Sequence, residues 1–242
     1  MGNTNASIPG PGPSGRRSVG AALAVSAGLV VWSLIANLVI GDTAYTLRNL
    51  LLTAGLLIAA RRAGIRATAL GLARERVSDG LRWGAGAVVA ITIVLAGGVA
   101  FAEALPFVSS LLADERAQLG GSALAAAMLV RIPLGTALFE EVAFRGVLLA
   151  VFLRCCSPKV AVLASSAVFG LWHIAPTAVS LQLNEIAPTS PAGLAAIVGG
   201  VVVTTVAGLA FTWLRWRSGS LLAPLLAHWA TNALGLLAAA ST

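Results

Sequence analysis

The sequence predicts an all-α protein, a polytopic transmembrane helix bundle of about seven spans (six to eight) with its N-terminus cytoplasmic. Three observations predict it. Of 242 residues, 58% are hydrophobic and only 10% charged, where soluble domains carry about 25% charged; mean hydropathy is +0.91. Apolar runs of ~20 residues recur, each long enough to cross a ~30 Å hydrocarbon core. The basic residues gather at the ends of those runs rather than in one patch, so the net charge of +7 reports membrane topology and argues against a nucleic-acid partner. Arginine greatly outnumbers lysine and alanine is abundant. That bias suits a GC-rich bacterial genome and, with the spans, a bacterial inner membrane.

Residues 1–18, rich in Gly, Pro, Ser and Asn, lack an apolar face and are expected to be disordered. Arg16 and Arg17 precede an apolar run too long for a cleaved signal, so an uncleaved signal anchor is expected. The spans fall at about 19–40, 44–60, 83–105, 123–153, 160–176, 193–214 and 218–239, one membrane domain over 19–242. The fourth is too long for a perpendicular crossing, and Pro133 is expected to break or kink it. Residues 61–82 place Leu70, Ala73, Val77 and Leu81 at near-helical spacing between charges, which reads as an interfacial amphipathic helix or as a solvated basic loop.

Orientation follows from the basic residues. Arg16, Arg17, Arg61, Arg62, Arg66, Arg74, Arg76, Arg82, Arg154, Lys159, Arg215 and Arg217 share one side, predicted cytoplasmic. Asp42, Asp114, Glu115, Arg116 and Glu185 share the other. Cys155 and Cys156 are sequence neighbours, with Cα atoms ~3.8 Å apart, too close for the usual disulfide. They are expected to be packing residues with no metal or redox role.

Few polar groups then remain at depth: Glu140, Glu141 and Arg145 in the fourth span, His173 in the fifth, His228 and Asn232 in the seventh. Ionisable residues inside a span are functional candidates by default, because one charge at the centre costs roughly 2.5–3.5 kcal/mol on insertion scales. At ~1.5 Å rise per residue, Glu140 and His173 lie ~20 Å in, His228 ~15 Å and Asn232 ~21 Å, so three helices put polar groups in one slab. Glu141 and Arg145 are i and i+4 in the favourable order for a helical ion pair. Glu140 is rotated ~100° away with no basic partner at i+4, which suits a general base. His228 and Asn232, like Phe169 and His173, share a helix face. A carboxylate and two imidazoles can activate water, and an imidazole and an amide can donate to an oxyanion, as amide hydrolysis requires. Two other readings stay open on spacing alone: a polar knot that glues helices in a non-catalytic scaffold, and a proton relay in a proton-coupled transporter.

The three motifs EEVAFR (140–145), FGLWH (169–173) and HWATN (228–232) together resemble the CAAX-protease and bacteriocin-processing (Abi) family of intramembrane proteases, over about 120–240. The segment LGLARERVSDGLRWG before the third span is also similar, less distinctively. The resemblance implies an intramembrane endopeptidase with Glu140 as catalytic carboxylate and His173 as its water-orienting partner. His228 and Asn232 would bind the oxyanion, or His228 would ligate a metal; Glu141, Arg145 and Phe169 would support. Glu140, His173 and His228 could hold zinc with an open position, and a metal-free mechanism is equally compatible. There is no H-E-x-x-H and no G-x-S-x-G. The implied partners are the lipid bilayer and a membrane-associated protein or peptide substrate; self-immunity against a bacteriocin is the alternative role within the family.

Overall fold

The computed structural model describes residues 15–101 and 119–241, and every regular element among them is helical. Helix α1 runs Gly15–Ile35 and continues as a π-helical turn, Ala36–Ile40. It starts inside the stretch expected to be disordered, taking in Arg16 and Arg17; the rest of that tail lies outside the described residues. Helix α2 is Tyr45–Arg62, α3 Val77–Ala100, α4 Gly121–Phe152, α5 Pro158–Trp172, α6 Ile174–Leu183, α7 Pro191–Ser218 and α8 Leu222–Ala239. Among the described residues, six stretches are long and apolar enough to cross a membrane. The 18-residue α2 is not one of them and carries Arg48, Arg61 and Arg62.

The segment 61–82 is neither a separate amphipathic helix nor a plain loop. A single turn, Ala67–Leu70, and a 3₁₀ turn, Arg74–Arg76, lead directly into α3, so Val77 and Leu81 belong to that long helix. Leu70 is buried against Val142, Val147 and Leu221, which draws the turn onto the bundle. The loops expected on the cytoplasmic side do meet at one end. Arg154 donates to the Ala63 carbonyl at 2.9 Å, Arg215 to that of Ala69 at 3.1 Å, and the Leu221 amide to that of Gly71 at 2.9 Å. Asp114, Glu115 and Arg116 lie outside the described residues.

Pro133 does not break α4. It sits inside a π-helical segment, Ala127–Ala137, and a second one spans Glu141–Leu148. A proline lacks the helical N–H and crowds the carbonyl four residues back; a wider winding relieves both. From Phe139 to Ala150 every residue of α4 is buried, while Leu129, Val130 and Leu134 are exposed. The second half of α4 is thus the central strut of the bundle, where protein rather than lipid surrounds its charges.

The expected fifth span is two helices. α5 ends at Trp172 and α6 begins at Ile174, with His173 at the junction (φ −81°, ψ −2°). Pro176 causes the break, because it has no N–H for the Trp172 carbonyl. That carbonyl accepts instead from the buried Ser33 hydroxyl of α1 at 2.6 Å. Two close helix pairs frame the site, α3 on α8 and α5 on α7. A Cβ on Gly80 or Gly84 would collide with Ser220 or Leu226, and one on Gly170 would come within 2.7 Å of the Val201 carbonyl. Small residues let membrane helices approach this closely, so packing can replace the missing hydrophobic drive.

Candidate active site

Glu140 and Glu141 leave α4 in different directions, and each meets its own partners. Glu141 accepts from Arg145 at 2.9 Å, with both side chains 1% exposed. Its same oxygen, Oε1, also accepts from His228 Nδ1 at 2.8 Å. The ion pair read from the i,i+4 spacing is therefore present, and it does more than neutralise charge. It fixes His228 of α8 with Nδ1–H toward the carboxylate, leaving Nε2 as an acceptor.

His173 is fixed in the same way. Its Nδ1 lies 2.7 Å from the Phe169 carbonyl, which can only accept, so this nitrogen carries the proton and Nε2 is again free. Both free nitrogens face Glu140. Oε2 stands 3.7 Å from His228 Nε2 and 3.9 Å from His173 Nε2, and has no hydrogen-bond partner among the described residues. Oε1 is held by Trp172 Nε1 at 3.1 Å. With both imidazoles neutral, three acceptors converge with no donor among them, at distances too long for direct hydrogen bonds. Three lone pairs aimed at one another are stable around something that brings protons or positive charge, a water or a cation.

Aromatic rings set the walls. Phe169 packs edge-on to His173 at 4.5 Å and to Phe144 at 5.1 Å, and carries the Arg145 guanidinium over its face at 3.9 Å. Phe211 of α7 stacks on His228 at 5.1 Å. In this water-poor setting, cation–π contact and ion pair together hold Arg145.

Residues 122–234 match the model of the family described as type II CAAX prenyl endopeptidase Rce1-like. Over that segment, just under half of the chain, the sequence is similar to this family. No curated protein and no solved structure matches the chain. The Rce1-like segment runs from the start of α4 into α8 and so contains all three motifs and every atom of the converging cluster.

Within this Rce1-like core the structure brings together Glu140, Glu141, Arg145, Phe169, His173 and His228. Asn232 lies one turn beyond His228 on α8, half-buried, and makes no hydrogen bond among the described residues. Trp172 is the residue that sequence reasoning passed over: it sits beside His173 in FGLWH, and its indole is the one donor to Glu140. The signal was a buried-type donor next to a candidate imidazole, but its aim depends on the break that Pro176 imposes.

Two imidazoles and a carboxylate are suitable donors for zinc. Tetrahedral zinc with ligands at ~2.0–2.1 Å keeps its donors roughly 3.4 Å apart, so the nitrogens would close on Glu140 by a few tenths of an ångström. As placed, no group of three or more His, Cys, Asp or Glu among the described residues forms a metal site. Glu141 Oε1 is taken by both Arg145 and His228, while its Oε2 is buried with no hydrogen-bond partner among the described residues. Cys155 and Cys156 stand at the basic end as free thiols with sulfurs 3.6 Å apart; burial and the neighbouring thiol push Cys155 up to about 11, the opposite of a reactive cysteine.

Proposed function

We propose that this chain is an intramembrane endopeptidase that hydrolyses a peptide bond of a membrane-associated protein or peptide with water activated by Glu140. The observation that carries the reading is the convergence of Glu140 Oε2, His173 Nε2 and His228 Nε2 on one buried point, with no donor of their own. A water placed there donates one proton to Glu140 and the other to an imidazole. Glu140 takes the first proton as the water oxygen attacks the scissile carbonyl, and returns it to the leaving amine as the C–N bond breaks. Trp172 holds the far oxygen of the carboxylate, so that Oε2 points at the water.

The oxyanion needs a donor. His228 in its Glu141-bound tautomer has no proton on Nε2, so the role falls to the free amide of Asn232. Glu141 and Arg145 act through His228, and Phe169 through His173 and Arg145. The same three converging donors would hold a divalent ion, which when bound supplies Lewis-acid polarisation and a more acidic water. Elemental analysis of protein purified without chelator, repeated after chelation, separates the two forms: one metal per chain, lost together with activity, marks the metal form.

The test is hydrolysis by purified protein in lipid nanodiscs, offered a pool of membrane-anchored peptides. Glu140→Gln keeps the shape and the Trp172 contact but removes the base, and the rate should fall by about 10²–10⁴. Cleavage at the wild-type rate by this variant would overturn the assignment.

A further inference from the structure

A second feature lies beside Phe211, the ring that stacks on His228. Between α3 and α7 a groove of about 740 Å³ opens to the outside of the bundle. Its walls are Trp83, Ala87 and Ile91 of α3 with Phe211 and Leu214 of α7, and Ala227 of α8 lies at its base. The volume falls within the ~300–1,000 Å³ usual for small-molecule sites. The lining is apolar except for Thr231 at depth and for Asp79 and Arg82 at one end.

That end is the end where the basic loops gather, and its charge is unbalanced. Asp79 is engaged by Arg76 at 3.1 Å. Arg82 is exposed and has no ion pair or hydrogen bond among the described residues. Arg217 is also exposed, its guanidinium 5.3 Å over the Trp83 ring, with no carboxylate partner among the described residues. Trp83 and Trp213 meet edge-to-face at 5.4 Å beside them. Two unsatisfied guanidinium groups, a tryptophan pair of the kind that sits at a membrane–water boundary, and an apolar trough leading away from both describe a head and a tail.

We infer that this groove holds an anionic phospholipid, its headgroup between Arg82 and Arg217 and one acyl chain along α3 and α7. A zwitterionic lipid brings a phosphate already offset by its own ammonium group, and a hydrophobic polypeptide segment brings no anion to them. The acyl chain reaches Phe211, which also stacks on the His228 ring at 5.1 Å. The lipid therefore packs against the ring that stacks on His228.

Native mass spectrometry tests this on the full chain released from nanodiscs of phosphatidylglycerol and phosphatidylcholine with matched acyl chains. Wild type should retain phosphatidylglycerol at least tenfold over phosphatidylcholine, and Arg82→Gln/Arg217→Gln should bring the ratio to parity. Arg61→Gln/Arg62→Gln, which removes two exposed charges away from the groove, should leave the ratio as in wild type. Ala87→Trp, filling the trough, should lose both lipids. An unchanged ratio in the Arg82/Arg217 variant, or an equal loss in the Arg61/Arg62 control, would overturn the inference, because either outcome describes diffuse attraction to a charged surface. Photocrosslinking from a benzophenone side chain at the exposed Ala90 identifies the occupant independently: an adduct with the mass of one phospholipid supports the proposal, and a polypeptide adduct refutes it.

Discussion

Replacing Arg145 by methionine keeps the length of the side chain and its contact with Phe169 while removing the charge. Glu141 would then be buried at 1% exposure with His228 Nδ1–H as its one remaining donor. Removing one partner of a buried pair costs about 3–5 kcal/mol. Lost cation–π contact at 3.9 Å adds up to ~2 kcal/mol in a desolvated setting. At roughly 2–4 °C per kcal/mol for a domain of this size, the ion-pair part alone lowers Tm by roughly 6–20 °C. The double variant Glu141→Leu/Arg145→Met removes both charges. Apolar replacement of a whole buried pair is neutral or stabilising, but His228 Nδ1–H then loses its acceptor at a cost of about 1–3 kcal/mol. The double variant should thus be more stable than Arg145→Met alone, a coupling of several kcal/mol. Thermal unfolding in detergent, followed by tryptophan fluorescence, measures wild type, both single variants Arg145→Met and Glu141→Leu, and the double. If Arg145→Met melts within a degree of wild type, or if the single effects simply add, the pair is not the buried, mutually dependent unit described above.

Trp172→Phe should leave the aromatic packing with Phe139 and Phe144 largely intact yet release Glu140 Oε1, and kcat should fall about tenfold or more with little change in Tm. Asn232→Ala should lower kcat by about 10²–10³ without a comparable rise in KM, since the amide is proposed to act on the transition state. Gly170→Val should destabilise strongly, because its Cβ would meet the α7 backbone at Val201, whereas valine at Gly86, which faces open space, should be tolerated. Asp42 lies outside the spans, and its hydrogen bond and ion pair with Arg131 hold its carboxyl below the ordinary value of 3.8. A depressed pKa means stability that is present above the unfolded value and lost as pH falls through the folded one. Both groups are about half exposed or more, so Asp42→Asn should cost at most ~1 kcal/mol at pH 7 and progressively less as pH falls below 3.8.

What the sequence makes legible is what one helix can encode. The spacing of Glu141 and Arg145, of Phe169 and His173, and the isolation of Glu140 are properties of single helices, and each reappears in space. The helical class and the gathering of basic loops at one end follow from hydropathy and charge position in the same way. Contacts between helices are not encoded so locally. His228 reaches Glu141 across 87 positions and Trp172 reaches Glu140 across 32, and no periodicity announces either. Arg131, another cation inside α4, finds Asp42 at the far end of the bundle across 89 positions. Pro133 and Pro176 show the limit of a residue-type rule: one is absorbed by a π-helical segment, while the other ends α5 beside the site because Ser33 of α1 can satisfy the freed carbonyl.

The central claim is that Glu140, facing two imidazoles inside the bundle, activates water for peptide hydrolysis. Its most direct measurement compares the newly generated peptide termini in membranes of cells making wild-type protein or Glu140→Gln at matched levels. Termini present with wild type and missing with the variant, while both proteins melt at the same temperature, are the predicted result. The same termini in both, at equal abundance, would contradict the claim.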